Sequence, residues 1–345
     1  MILLWVVLCL RYGQGSDYFS YEYLFLRYSD LNIALNNPYN EHGEIGFRLL
    51  CAIFPWSYKW FIVIISTFEM WMLHLFIKRY SSNPILTLLL FYPTYYLTYY
   101  FSIIRQGIVI AAFIGFLLKW IEEKKWIRYY VISAILITIH TSAIALFIIP
   151  FVKKIKIEDI LTIDCICAVV GILLSTSYGI RFLNRIPRIS SYVDSDVSLM
   201  ALLERVAMFC IILLLFYYRK KYMHNEKIAW LLKTYGVGIA IYMIFLAFPL
   251  ISSRFMALFK VLEVVIIPKL LDGRSKYRQL LATFLVAFSV FMTCKNLDSY
   301  LDQGAYKDNV TFYTYPYITI FEEEEIWDYR EESIYQPYIN GQLKQ

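Results

Sequence analysis

Apolar residues come in long runs broken by few polar residues, at residues 2–10, 58–77, 85–101, 103–121, 127–152, 160–178, 200–218, 228–250, 255–271 and 280–294. Nearly all are longer than the roughly four to eight residues of a buried strand, and they predict α-helices. Runs near 20 residues match the ~30 Å hydrocarbon core of a bilayer at a rise of about 1.5 Å per residue. The pattern therefore predicts an all-α, polytopic integral membrane protein with about nine to eleven spans. The run at 2–10 is too short to cross alone. Either it borrows polar residues from its flank, or the natural start lies upstream and the helix is longer. It passes into RYGQGSDYFSY without a small-residue cleavage pattern, so no cleavable signal peptide is expected.

Short basic loops set the orientation. Lys78 with Arg79, Lys119 with Lys124, Lys125 and Arg128, Arg219 with Lys220, Lys221 and Lys227, and Lys269 with Arg274, Lys276 and Arg278 all read as cytoplasmic. Strict alternation then fails once, because it puts the Arg219 loop and Lys153, Lys154 and Lys156 outside. Both conflicts vanish if 127–152 enters and returns as two half-helices meeting near His140; the alternative is one tilted helix. Non-helical backbone at such depth is tolerated only under cover of protein or in a water-filled cavity. The re-entrant arrangement puts loops 12–56 and 179–199, the Ser102 turn and the tail 295–345 on the outer side of a membrane domain spanning 1–294. Arg105, Arg205 and Arg254 then fall at the starts of helices running inward from that side. Free N–H groups and the helix dipole favour anions there, so three such ends predict a multiply negative ligand.

Composition agrees with the pattern. Of 345 residues, 59% are hydrophobic and 17% charged, against about 45–50% and 25% in soluble domains. The 13 glycines and 10 prolines are too few for collagen-like or disordered chains. The total charge is +6, but the tail from Lys295 on holds four basic and ten acidic residues, a net −6 that leaves +12 for the rest. Asp298, Asp302, Asp308 and the run of Glu322, Glu323, Glu324 and Glu325 there read as a solvated face or a polysaccharide guide. No soluble basic domain is present, which argues against nucleic-acid binding. The six cysteines have neither zinc nor disulfide spacing and read as small apolar residues, and no metal site is expected. The 31 tyrosines exceed what lipid requires and read as sugar and interface contacts.

Within this frame a few polar residues carry chemistry. Arg105, in SIIRQGIVIAAF, is costly at membrane depth unless it is paired, snorkels or meets an anion. Arg254, in PLISSRFMALF, is a second such case, and Arg205 follows Glu204 as part of a local network or an anion site. A planar guanidinium fork suits a diphosphate. Asp17 stands among Tyr18, Tyr21 and Tyr23, and Glu44 adds a second carboxylate, a combination suited to sugar hydroxyls and apolar sugar faces. Either acid can serve as a base on a hydroxyl. His140 is open to three roles: base, phosphate donor, or partner of a helix break. Arg181, Arg185 and Arg188 alternate with apolar residues in an amphipathic stretch that guides an anionic head group or anchors to lipid. Glu69 and Asp164 read as helix-packing groups.

No phosphate loop, dinucleotide fingerprint or HExxH motif occurs, so a nucleotide-driven pump or a nucleotide-sugar transferase is not expected. The order RYGxGxDYxxYE, EIGFRLL, SIIRQGIVIA, ITIHTSAI and SSRFMALF resembles the EpsG/Wzy-like family of bacterial polysaccharide polymerases. The resemblance covers most of the chain and is strongest from Arg11 to Ile144. It implies a multi-pass protein of the bacterial cytoplasmic membrane that joins undecaprenyl-diphosphate-linked oligosaccharides at the outer face, without a cofactor. A chain-length regulator and a flippase are the partners it implies. Asp17, Glu44, Arg105, His140 and Arg254 are the positions it carries over. Two other classes stay open: a lipid-linked-oligosaccharide flippase and a membrane acyltransferase acting on the same polymer. Loss of the gene separates the three, giving unpolymerised outer-face units, inner-face accumulation, or full-length undecorated polymer respectively.

Overall fold

A chain in lipid must satisfy its backbone N–H and C=O groups internally, and here it does so with helices. The computed structural model describes residues 1–15, 17–38, 43–185, 199–219, 225–272, 276–300 and 317–321. Among these no strand forms; an isolated antiparallel bridge joins Arg11 to Thr319. Arg188 and the Glu322 to Glu325 run lie outside the described residues.

Five described helices are long and apolar enough to span a bilayer: Tyr58–Tyr80, Ile104–Glu122, Leu199–Tyr218, Glu226–Ile244 and Arg278–Leu297. A sixth is added if Ile157–Leu174 and Ser177–Leu183, bent by 81° at a short break, count as one span. The protein is thus an all-α, multi-pass membrane protein. The remaining apolar runs fold as shorter pieces, and local chemistry explains the breaks. Pro84–Phe91 passes into wide π-type turns over Tyr92–Tyr100, with Pro93 supplying no N–H. Glu226–Ile244 stops short of its predicted end, and Pro249 opens the next helix, Pro249–Lys260. Around His140 the chain forms Trp126–Ile137, a break at 138–140, and then Thr141–Val152. A helix break is thus present near His140.

The chain divides into two compact units. The first holds Met1–Arg79, Leu88–Thr141 and Gln279–Gln345. Its opening helices are α1 (Ile2–Leu10), α2 (Tyr18–Arg27), α3 (Leu31–Asn36), α4 (Ile45–Ile53) and α5 (Tyr58–Tyr80). Their core is aromatic. Tyr12, Tyr18 and Phe19 meet edge-on with centroids 5.3–5.9 Å apart, and Tyr18 continues the packing to Tyr58 at 5.3 Å. Each such contact adds about 0.5–1.5 kcal/mol beyond its buried area. Much of the tyrosine excess therefore serves the core: Tyr12, Tyr18, Tyr28, Tyr95, Tyr96, Tyr100 and Tyr129 are all under 2% exposed. Two tyrosine hydroxyl groups of this unit have backbone acceptors: Tyr58 donates to the Tyr18 carbonyl at 3.1 Å and Tyr96 to the Leu4 carbonyl at 2.6 Å. The described piece of the tail joins this unit, the Tyr12 N–H meeting the Ile318 carbonyl and the Ile320 N–H the Leu10 carbonyl, both at 3.0 Å.

The second unit holds Tyr80–Thr87 and Ser142–Arg278. Ile157–Leu174 packs closely against Glu226–Ile244, and Gly171 permits it, since a Cβ there would strike the Met243 carbonyl. Pro249–Lys260 packs on the same Glu226–Ile244 helix.

Candidate functional site

The wide-turn stretch Tyr92–Tyr100 ends at Phe101 and Ser102, and a new helix begins at Ile104. Arg105 is the second residue of that helix, in its first turn. Its Nη1 donates to the Glu44 Oε2 at 2.5 Å and its Nε to the Tyr21 hydroxyl at 3.4 Å. The guanidinium also lies 5.5 Å from the Tyr21 ring centroid and 5.7 Å from that of Phe47. The two charged side chains are 15% and 21% exposed, so the pair is mostly shielded yet reachable.

Glu44 caps the start of α4 in an extended conformation, and its second oxygen turns the other way. Oε1 accepts the Thr141 N–H at 3.1 Å and faces the Thr141 hydroxyl at 3.5 Å. Two residues on, the Gly46 N–H donates to the Thr138 carbonyl at 2.6 Å. Breaking a helix at 138–140 frees carbonyls and N–H groups that need partners, and the EIGF segment supplies two of them. Gly46 is required for this approach, because a Cβ would collide with the Thr138 hydroxyl and carbonyl. His140 is held in the break at 5% exposure, its N–H on the Leu136 carbonyl at 2.9 Å.

Electrostatics follow this geometry. Burial raises the Glu44 carboxyl, but the Arg105 charge, backbone donors and the nearby His140 outweigh it and hold Glu44 below its ordinary 4.5. Burial pushes the Tyr21 phenol up, opposed by Arg105 and reinforced by Asp17. Burial also pushes the Cys51 thiol up to about 12, which makes it a packing residue. Among the described residues no three His, Cys, Asp or Glu side chains gather as metal ligands.

Asp17 precedes α2, and its N–H donates to the Ser102 hydroxyl at 3.2 Å. Gly15 makes the turn, at φ +95° and against Ser102, a conformation and a gap open to glycine alone. Gly15 and Asp17 are thus docked on Ser102, three residues before Arg105. Asp17, Tyr21, Glu44, Arg105 and His140 are gathered into one neighbourhood. Tyr18 is not available there: it is 1% exposed within the aromatic core, so its ring faces protein rather than a sugar. Tyr23 is half-buried, and its hydroxyl accepts the Arg27 Nε at 2.9 Å.

Sequence reasoning missed several supports. Thr138 and Thr141 flank His140, Ser102 holds the Asp17 turn, and Arg11 anchors the start of that turn. Arg11 is 1% exposed, with Nη1 on Ser66 at 3.0 Å and Nη2 on the Tyr100 carbonyl at 3.1 Å. A fully buried Arg at the end of α1 was the available signal.

The second unit places its arginines differently from expectation. Arg205 and Arg254 lie in the second turns of Leu199–Tyr218 and Pro249–Lys260, beyond the free N–H groups of the first turn. Only Arg105 keeps the expected helix-end position. Arg205 lies 4.4 Å from the Tyr242 ring centroid and donates to the Ala201 carbonyl at 3.0 Å, the Tyr242 hydroxyl at 3.3 Å and the Ser253 hydroxyl at 3.4 Å. Glu204 does not pair with it; Glu204 pairs with Lys260 instead. Tyr235 donates to Glu263 nearby in the same unit. Arg254 is exposed, as is Arg185 just past the helix Ser177–Leu183.

No curated protein and no solved structure matches the chain. A family model does, over residues 1–319. That stretch takes in Asp17, Glu44, Arg105, His140 and the arginines of the second unit, and by this match the chain belongs to the EpsG family.

Proposed function

We propose that the protein is a polysaccharide polymerase. It transfers a growing glycan from undecaprenyl diphosphate to the next lipid-linked repeat unit at the outer face of the bacterial cytoplasmic membrane. Membership of the EpsG family supports this reading. The observation that carries it is the Arg105–Glu44–Thr141 bridge, which ties a guanidinium to the backbone of a broken apolar segment next to His140.

In this mechanism the acceptor hydroxyl oxygen attacks the anomeric carbon of the donor glycan. A glycosidic bond forms, the bond from that carbon to the diphosphate oxygen breaks, and undecaprenyl diphosphate leaves with the electron pair. Arg105 has two of five donors committed to Glu44 and Tyr21 and turns the others to the diphosphate, stabilising its charge as it leaves. Glu44, held below its ordinary value by Arg105, is a weak base and acts as a positioning residue for Arg105 and the break. The hydroxyl proton passes to Asp17 or His140. The exposed Arg254 and the stacked Arg205 bind phosphate-bearing lipid in their own unit. A flippase supplies the lipid-linked units, and a chain-length regulator sets when extension stops.

The test is incubation of purified protein with defined lipid-linked repeat units, read on a ladder gel. Wild-type protein should give a ladder, and Arg105→Ala single units only. No ladder from wild-type protein overturns the polymerase reading, and a normal ladder from Arg105→Ala overturns the role given to Arg105.

A further inference from the structure

The EIGFRLL segment carries one more charged residue, Arg48, to which the mechanism above gives no role. It lies one turn after Glu44 on α4 and is 9% exposed. Its guanidinium sits 5.6 Å from the Tyr28 ring centroid. Both Nε and Nη1 are buried without a hydrogen-bond partner. No carboxylate among the described residues pairs with it. A buried cation with open donors is destabilising, and a ring face offsets only part of that cost. Packing alone gives no reason to keep it.

Its surroundings supply one. Arg105 lies against Tyr21 of α2, and Arg48 against Tyr28 at the end of the same helix. Positions seven apart share a helix face and stand about 10 Å apart along the axis. Phe47, between Glu44 and Arg48, also faces Arg105. Helices α2 and α4 thus hold two guanidinium groups along one aromatic strip, Arg105 with a carboxylate partner and Arg48 with none.

We propose that Arg48 binds an anionic substituent of the glycan itself, a carboxylate or a phosphate ester on a sugar, apart from the group held at Arg105. The assignment rests on the polymerase reading for its substrate class. A planar fork with two unpartnered donors suits either oxyanion and gives no advantage to a neutral sugar. The enzyme would then select repeat units by charge at a place separate from the reacting bond.

The test titrates purified full-length protein with three trisaccharides that lack lipid and diphosphate: one bearing glucuronate, one bearing a phosphate monoester, and the neutral parent. Wild-type protein should bind at least one acidic probe about tenfold or more tighter than the neutral one. Which acidic probe wins identifies the source of the charge. Arg48→Met should remove the preference, Arg48→Lys should weaken it, and Arg105→Gln should keep it. Ligand-free Arg48→Met should also melt at a higher temperature than wild type, because it removes a buried charge without a partner. Equal binding of acidic and neutral probes, a preference surviving Arg48→Met, or a lowered Tm in ligand-free Arg48→Met overturns the proposal. Since no probe undergoes chain extension, failure of the polymerase reading shows separately, as the absence of a ladder from wild-type protein with lipid-linked repeat units.

Discussion

Arg105 in the first unit and Arg205 in the second both lie partly buried against a tyrosine ring, but their partners differ in kind. Arg105 meets a carboxylate at 2.5 Å, and that carboxylate also takes a backbone N–H from the break beside His140. Arg205 meets only neutral oxygens, from Ala201, Tyr242 and Ser253, while Glu204 is held by Lys260. The first guanidinium is neutralised and tied to a particular backbone geometry. The second is oriented by stacking and keeps its charge for something else. Both lie in apolar helices, so an apolar setting alone does not assign a role to an arginine; the partner does.

The largest effect should come from removing the neutralised member. Arg105→Ala should lower chain extension by about 100-fold or more, and it strands Glu44 at a cost of about 3 kcal/mol in chemical denaturation. Replacing both Glu44 and Arg105 by Gln should recover part of that stability and none of the activity. Arg205→Ala strands no carboxylate, and the same denaturation should show a loss of about 1–2 kcal/mol. Equal losses for Arg105→Ala and Arg205→Ala would erase the distinction between the two sites.

Gly46→Ala tests whether the break is held from α4. A Cβ there pushes on Thr138, and such overpacking costs about 1–3 kcal/mol. Activity should fall with stability in this variant, whereas a fully active, stable Gly46→Ala would mean that the clamp on Thr138 is dispensable.

A smaller effect should appear with pH. Folded Glu44 lies below its ordinary 4.5, so its stabilising contribution is complete above about pH 4.5 and drains away as pH falls through the depressed folded value. Between about pH 5 and pH 3, wild-type Tm should drop more steeply than that of Glu44→Gln. Parallel curves would show that the carboxylate is not held by its partners. The smallest effect is expected from Arg205→Lys, which keeps the charge but weakens stacking on Tyr242, at about 0.5–1 kcal/mol.

The helices were legible because lipid imposes long apolar runs, and the break at His140 was legible because charge alternation failed around it. Arg105 stood out because an ion is costly in an apolar run, and Glu44 because it adds a second carboxylate to the tyrosine-rich loop. What each ion touches was not legible. Glu204 adjoins Arg205 in sequence, yet a helix sends consecutive side chains in different directions, and Glu204 pairs with Lys260 across the unit. Tyr18 and Tyr21 look alike in the sequence, but one lies in the aromatic core and the other at Arg105. Arg48 drew no attention because its neighbours are apolar, and only the fold reveals that it is buried without a counter-ion. Apolar runs that hydropathy reads as continuous are interrupted in the structure at Pro93, before Pro249 and at the 81° bend after Leu174.

A double-mutant cycle on chain extension, with Arg105→Lys, Glu44→Gln and the pair in the purified protein, tests most directly whether Arg105 and Glu44 act as one unit at the reacting bond. The double variant should be no slower than the slower single variant, because either change already disables the shared arrangement. Rate losses that simply multiply would show two independent residues and would contradict it.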